Sequence, residues 1–207
     1  MTTFANKTSR ANVPEKSLIT KLNMGTGLIV GIIFAEGMYW LSKSWFDINE
    51  AREINKILTL SMIAWCIGFL IGIGAFIGPF RWLIGKDLTD EEQLYMAGSG
   101  QGISRYFKYC TDHKVVGIQY LVGVMTMLGV GGTMAMMIRT NLIKPGSKLV
   151  TPEIYNSLVG LHGITMIVAL IVVATGPFGN FILPIMIGAR DMAFPRLNAL
   201  SWWLLFT

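Results

Sequence analysis

Four long apolar runs divide this chain, separated by polar stretches of unequal length. The first covers 22–42 between Lys21 and Lys43, with Tyr39 and Trp40 as interfacial anchors. The second covers 57–85, the third 115–138 up to Arg139, and the fourth 155–187, with Pro177 and Pro184 marking its kinks or its end. Runs of about 18 residues with few charges are long enough to cross a bilayer as helices. The pattern predicts an all-α integral membrane protein, a bundle of four transmembrane helices, and SWWLLFT (201–207) reads as the opening of a fifth.

The polar stretches predict connections. Residues 1–21 read as a basic arm with no short apolar core and cleavage site of the kind a removed signal carries. Residues 44–56 read as a short loop with an interfacial helical turn, and 140–153 as a loop turned at Pro145-Gly146. The stretch 86–114 reads as a linker. Within it Thr89 and Glu92 have the spacing of a capping box, and Gly98 to Gly102 read as a flexible turn. No strand precedes those glycines and no Gly-Lys-Ser/Thr follows them, so they are no nucleotide loop. In the second run Gly68 and Gly72 form a small-xxx-small pair, for which generic packing of a glycine-rich membrane helix is the plainer reading.

Composition agrees with the pattern. The chain is 53% hydrophobic and 14% charged, with mean hydropathy +0.55, where a soluble domain carries about a quarter charged residues. The net charge of +5 sits at the ends of the apolar runs, without the basic–aromatic interleaving of a nucleic-acid surface. Membrane lipid, not nucleic acid, is the expected surrounding. Eleven Lys and Arg fall on the arm and on 81–114 and 190–196, against six on 43–56 and 139–148. The excess of basic residues marks the cytoplasmic side, so the amino terminus is expected to be cytoplasmic. Cys66 lies in an apolar run and Cys110 in a polar loop, a pattern of neither a disulfide framework nor a metal pair. The five methionines between Met125 and Met137 lack His or Cys at ligand spacing and read as packing.

Few side chains remain for chemistry. Glu36 is an acid inside the first run, costly and functional by default, and it can also reach headgroups or pair with another subunit. His113 is placed at the inner end of the third span and His162 near the outer end of the fourth, more than about 20 Å apart. They cannot share a metal within one copy. His162 alone reads either as one heme ligand or as a hydrogen-bonded structural histidine, and Asp191, between Arg190 and Arg196, reads as an ordinary loop carboxylate. Between His162 and Asn180 the spacing predicts about 27 Å of continuous helix.

From Asp112 onward the residues carry a resemblance. DHKVVGIQYLV (112–122), IRTNLIKPGS (138–147), YNSLVGLHGITMI (155–167) and FGNFILPIMIGARDMAFPRLNALSWWLL (178–205) occur in this order. They resemble the amino-terminal helices of subunit I of the heme–copper terminal oxidases, the cytochrome c and quinol oxidase family. The resemblance divides the chain into an arm (1–21), two additional spans with their polar connection (22–110) and a subunit I-like part (111–207).

The resemblance implies a role for each matching residue. His162 falls on one of the two axial histidines of the low-spin heme. Arg139 falls on the arginine that hydrogen-bonds the formyl group of a heme A-type cofactor, which favours that type. Asp191 matches the acid at the cytoplasmic mouth of the proton pathway, and Asn180 and Asn198 match polar residues that hold ordered water above it. Pro177 departs from the usual Gly-Gly-Phe-Gly-Asn, Ala199 from the usual Asn-Asn pair, and Arg190 from the more usual proline. Asn141 stands where some members carry the acid of a cation site, so no such cation is expected.

In the family the second low-spin ligand, the high-spin heme and the copper centre are held by later helices. Two chain types follow: a fragment of subunit I, or a split subunit completed by a complementary chain. The resemblance then implies membership of a respiratory terminal oxidase that reduces O2 to water with proton pumping. Other oxidase subunits would be partners, with cytochrome c or quinol as electron donor. The competing readings are a non-catalytic membrane subunit or inactive fragment that keeps the fold without heme, and a small transporter whose acid is Asp191 or Glu36.

Overall fold

A computed structural model describes residues 18–46, 51–86, 88–144, 146 and 149–207. Most of the basic arm, residues 47–50 of the first loop and Pro145 of the 140–153 turn lie outside the described residues. The described residues form helices and no strand, and four helices are long and apolar enough to cross a membrane. The chain divides into two compact units. One takes in the chain up to Val115 together with Ala193–Thr207, and the other is Val116–Met192.

In the first unit a short turn, α1 (Leu18–Lys21), precedes α2 (Met24–Ser42). Asn23 caps α2: its side chain accepts from Thr26 N at 3.1 Å, and the Thr26 hydroxyl accepts from Asn23 N at 2.9 Å. Two of the first-turn donors that a helix leaves unmatched are thereby satisfied. The next helix, α3 (Ala51–Ile73), starts earlier than the apolar run. The polar turn AREINK joins it because Glu53 favours a helix amino terminus and Lys56 Nζ reaches Glu53 at 2.6 Å.

The second apolar run is not one helix. Gly74 has φ +91, and two crossed hydrogen bonds close the end of α3: Gly74 N to Ile71 O at 3.1 Å and Ala75 N to Leu70 O at 3.0 Å. A left-handed residue with this bond pair is a Schellman stop, and glycine takes it without a Cβ clash. The predicted span 57–85 is therefore α3 followed by a separate short helix, α4 (Ile77–Leu83).

The hairpin of α2 and α3 is closed by glycines. A Cβ on Gly72 would lie 2.7 Å from Thr26 O and 2.9 Å from Gly27 Cα, and one on Gly68 would lie 2.7 Å from Phe34 Cβ. The Thr26 hydroxyl also reaches Gly72 O at 2.9 Å. The small-residue pair is thus a specific backbone-to-backbone contact and not generic packing. The last helix, α9 (Pro195–Phe206), packs on α3 through rings, with Phe69 5.8 Å from Trp203 and 6.0 Å from Phe206.

The stretch 86–114 is a folded cap and not a linker. Its helix α5 (Asp90–Met96) starts at the expected Thr89/Glu92 capping box, and the buried Glu92 carboxylate also pairs with Arg81 of α4. A 3-10 helix (Gly102–Phe107) follows the glycine turn. Thr111 N then returns to Met96 O at 2.9 Å, and the buried Tyr109 hydroxyl donates to the carbonyl of Arg196. The sequence pattern misses this because the anchors are single polar groups far apart in the chain.

The second unit holds most of α6 (His113–Asn141), then α7 (Pro152–Val173), a π-helical segment (Ala174–Ile182) and α8 (Leu183–Met186). A ring nitrogen and three close approaches tie α6 to the α7–π segment in antiparallel order.

Candidate functional site

The approaches start at Gly131 of α6. A Cβ there would lie 2.7 Å from Met166 Sδ, and one turn before Met166 on α7, His162 Nδ1 lies 2.9 Å from Gly131 O. A carbonyl oxygen only accepts, so Nδ1 carries the proton and donates. In the neutral ring the other nitrogen, Nε2, then keeps its lone pair. The same arrangement, one nitrogen on a backbone carbonyl and the other free, orients histidines that bind metals. His162 is half-buried.

Further along, α7 stops at Val173, four residues before Pro177. Proline lacks an N–H, and its ring clashes with the carbonyl four residues back, so the α-helical ladder cannot pass. The chain continues in wider π-helical turns from Ala174 to Ile182, with Pro177 inside. The uniform 27 Å of α-helix expected between His162 and Asn180 is corrected accordingly, since the turns that reach Asn180 hold more residues each. Gly176 sits under the Tyr120 ring, where a Cβ would be 2.7 Å from Cδ1, and Gly117 faces Phe181, whose Cβ would be at 2.9 Å. Asn180 lies in this packed segment and is buried.

Arg139 is in the last turn of α6, about two turns beyond Gly131. Its guanidinium is exposed and makes no hydrogen bond or ion pair among the described residues. After α8 the helix ends at Gly188, with φ +69 and Ala189 N on Pro184 O at 2.8 Å. This turn leads to Asp191, an exposed carboxylate that accepts from Met192 N at 2.8 Å. His162, Arg139, Asn180 and Asp191 belong to the second unit.

Asn198 belongs to the first unit, on α9. Its Nδ2 is buried and has no hydrogen-bond partner among the described residues, a polar group that a water can serve. In the same unit, Tyr109 lies against Arg196. Burial pushes its phenol up to about 12, with Arg196 pulling the other way. Neither Tyr109 nor the Gly131 carbonyl is legible as a functional partner in the sequence, because each acts through an atom fixed by a distant helix. Among the described residues no group of three or more His, Cys, Asp and Glu could hold a metal ion.

Comparison with known proteins finds relatives for the second half of the chain. The family model for cytochrome C and quinol oxidase polypeptide I matches residues 115–207. These residues are similar to a segment of that family's subunit. Cytochrome c oxidase subunit 1 of Synechocystis sp. is 50% identical over 99 residues, covering 48% of this chain and 18% of the relative. The same subunit of Thermostichus vulcanus is 51% identical over 100 residues, covering 48% and 18%. Cytochrome c oxidase polypeptide 1 of Halobacterium salinarum is 41% identical over 104 residues, covering 50% and 17%. The chain thus spans less than a fifth of the length of the curated relatives it matches. No solved structure matches.

The matched segment contains His162, Arg139, Asn180, Asp191 and Asn198, since all lie within 115–207. It holds two of the four helices long and apolar enough to cross a membrane among the described residues, α6 and the α7–α8 stretch.

Proposed function

We propose that this chain supplies the amino-terminal helices of subunit I to a respiratory terminal oxidase that reduces O2 to water with proton pumping. The observation that carries the proposal is the Nδ1 hydrogen bond of His162 to Gly131 O, which leaves Nε2 as a donor of fixed tautomer. One imidazole is what an axial heme site asks of one helix, and a low-spin iron completes its coordination with a second. His162 would hold the low-spin heme, which when bound supplies one-electron transfer. Arg139, whose guanidinium makes no hydrogen bond or ion pair among the described residues, would donate to the heme's formyl group, favouring a heme A-type cofactor and drawing electron density from it.

The second axial histidine, the high-spin heme and the copper centre would be held by the rest of subunit I or by a complementary chain. Other oxidase subunits, and cytochrome c or quinol as donor, complete the set of partners. Asp191 would collect protons at the cytoplasmic side, with the amino terminus on that side too. Asn180 and Asn198 would hold water in place, because neutral amides bond water without trapping a charge. Residues 1–21 would be a cytoplasmic arm and 22–110 two spans added ahead of the oxidase segment.

A reduced-minus-oxidised spectrum of the native complex tests the reading. Loss of the low-spin heme signal in His162→Ala is the expected result. An unchanged spectrum, or no heme signal in the native complex, would leave the non-catalytic reading in its place. Asp191→Asn is expected to slow proton uptake while the spectrum stays intact.

A further inference from the structure

Glu36 has no place in the oxidase segment, yet its setting is specific. It lies six residues before the end of α2 at Ser42, about 9 Å inside that end. A Cα–Cβ bond tilts toward the amino terminus of its helix. The Glu36 side chain is therefore aimed away from the nearer end and deeper along the span, which works against reaching headgroups.

Nor does the hairpin offer a partner. The face of α2 against α3 runs through Gly27 and Gly31. Glu36 is nine residues beyond Gly27, about 180° around the helix. It is exposed and makes no hydrogen bond or ion pair among the described residues. Around it stand Ile29, Ile33 and Trp40, all exposed, and Gly37, where an added Cβ would meet nothing within 4 Å. Among the described residues, the cation on this side of α2 is Lys43, about two turns on. Its Nζ is stacked over the rings of Trp40 at 4.7 Å and Tyr39 at 5.3 Å.

We infer that the Glu36 face of α2 docks a transmembrane helix of another subunit, one that presents a lysine or arginine to this carboxylate. Hydrocarbon offers a carboxylate neither a donor nor a counter-charge. A second copy in a two-fold contact would bring the same acidic face, and with it like charge. A cationic helix meets both needs: a charge-assisted hydrogen bond to Glu36 and close approach over Gly37, where no side chain stands in the way. The inference rests on α2 spanning the membrane and is independent of the heme reading.

The test uses the full chain in its native membrane complex. A photo-crosslinking amino acid at Ile33, on the same face, is expected to join a transmembrane helix of another subunit that contains Lys or Arg, as read by mass spectrometry. Glu36→Lys is expected to lower recovery of that subunit about tenfold, the order of an intramembrane polar contact, with recovery restored by the reciprocal Lys or Arg→Glu change. Glu53→Gln, in the first turn of α3, is the control expected to leave recovery unchanged. Crosslinks to lipid alone, to a second copy or to a helix without a cation would each overturn the inference, as would Glu36→Lys without loss or without reciprocal rescue.

Discussion

His162 Nδ1 and the carbonyl oxygen of Gly131 lie 2.9 Å apart across 31 residues of chain. The bond sets the ring tautomer from a neighbouring helix, so the donor nitrogen of His162 depends on how closely α6 and α7 approach. That approach depends in turn on Gly131 having no side chain.

Gly131→Ala places a methyl where Met166 Sδ would be 2.7 Å away. Met166 Sδ is near the far end of a flexible side chain that can turn aside. The expected cost is therefore at most about 1 kcal/mol, the low end of overfilling, and thermal unfolding of the purified protein is expected to start at slightly lower temperature. Met166→Ala in the same chain makes room and should recover most of the loss. Independent effects of the two changes would show that the helices do not meet at this point.

Gly72→Ala is expected to be worse tolerated than most glycine changes, because its new methyl faces backbone atoms, Thr26 O at 2.7 Å and Gly27 Cα at 2.9 Å. Backbone cannot swing aside, so α2 and α3 must separate, and the expected cost is about 1–3 kcal/mol. Gly129→Ala, which meets nothing within 4 Å, should instead be neutral or stabilise by up to about 1 kcal/mol through helix propensity. Heat-induced aggregation in one detergent compares the pair directly.

The cap 86–114 is expected to loosen when Glu92 is changed to Ala. Arg81 then loses its partner, and the start of α5 loses half of its capping box. Limited proteolysis should find new cleavage between α4 and α6, while the wild-type protein resists. Equal resistance in both would mean that the ion pair contributes nothing to the cap.

The phenol of Tyr109 gives the cap a pH dependence. Burial raises its pKa from 10.0 to about 12, so the folded form holds the phenolic proton after an unfolded chain has released it. The associated stability is fully present below about pH 10 and is lost as pH rises toward about 12. Tyr109→Phe should flatten this part of the alkaline unfolding curve. In the wild type, tyrosinate absorbance should show a late-ionising phenol that Tyr109→Phe removes.

Much of this protein was determined by the sequence alone. The four spans follow from local composition, because transfer into hydrocarbon is a sum over consecutive residues. The Thr89/Glu92 capping box and the break of the fourth span around Pro177 also follow from groups a few residues apart. The match of 115–207 to an oxidase subunit was legible in motifs of the same short range. Tertiary structure decided the rest. It turned 86–114 from a linker into a cap through Arg81, Glu92, Tyr109 and the Arg196 carbonyl. It made Gly68 and Gly72 a backbone contact with α2, and it supplied His162 with the carbonyl that fixes its proton. Hydrogen bonds and steric contacts act over a few ångströms between particular atoms, and which atoms meet depends on where distant helices are brought together.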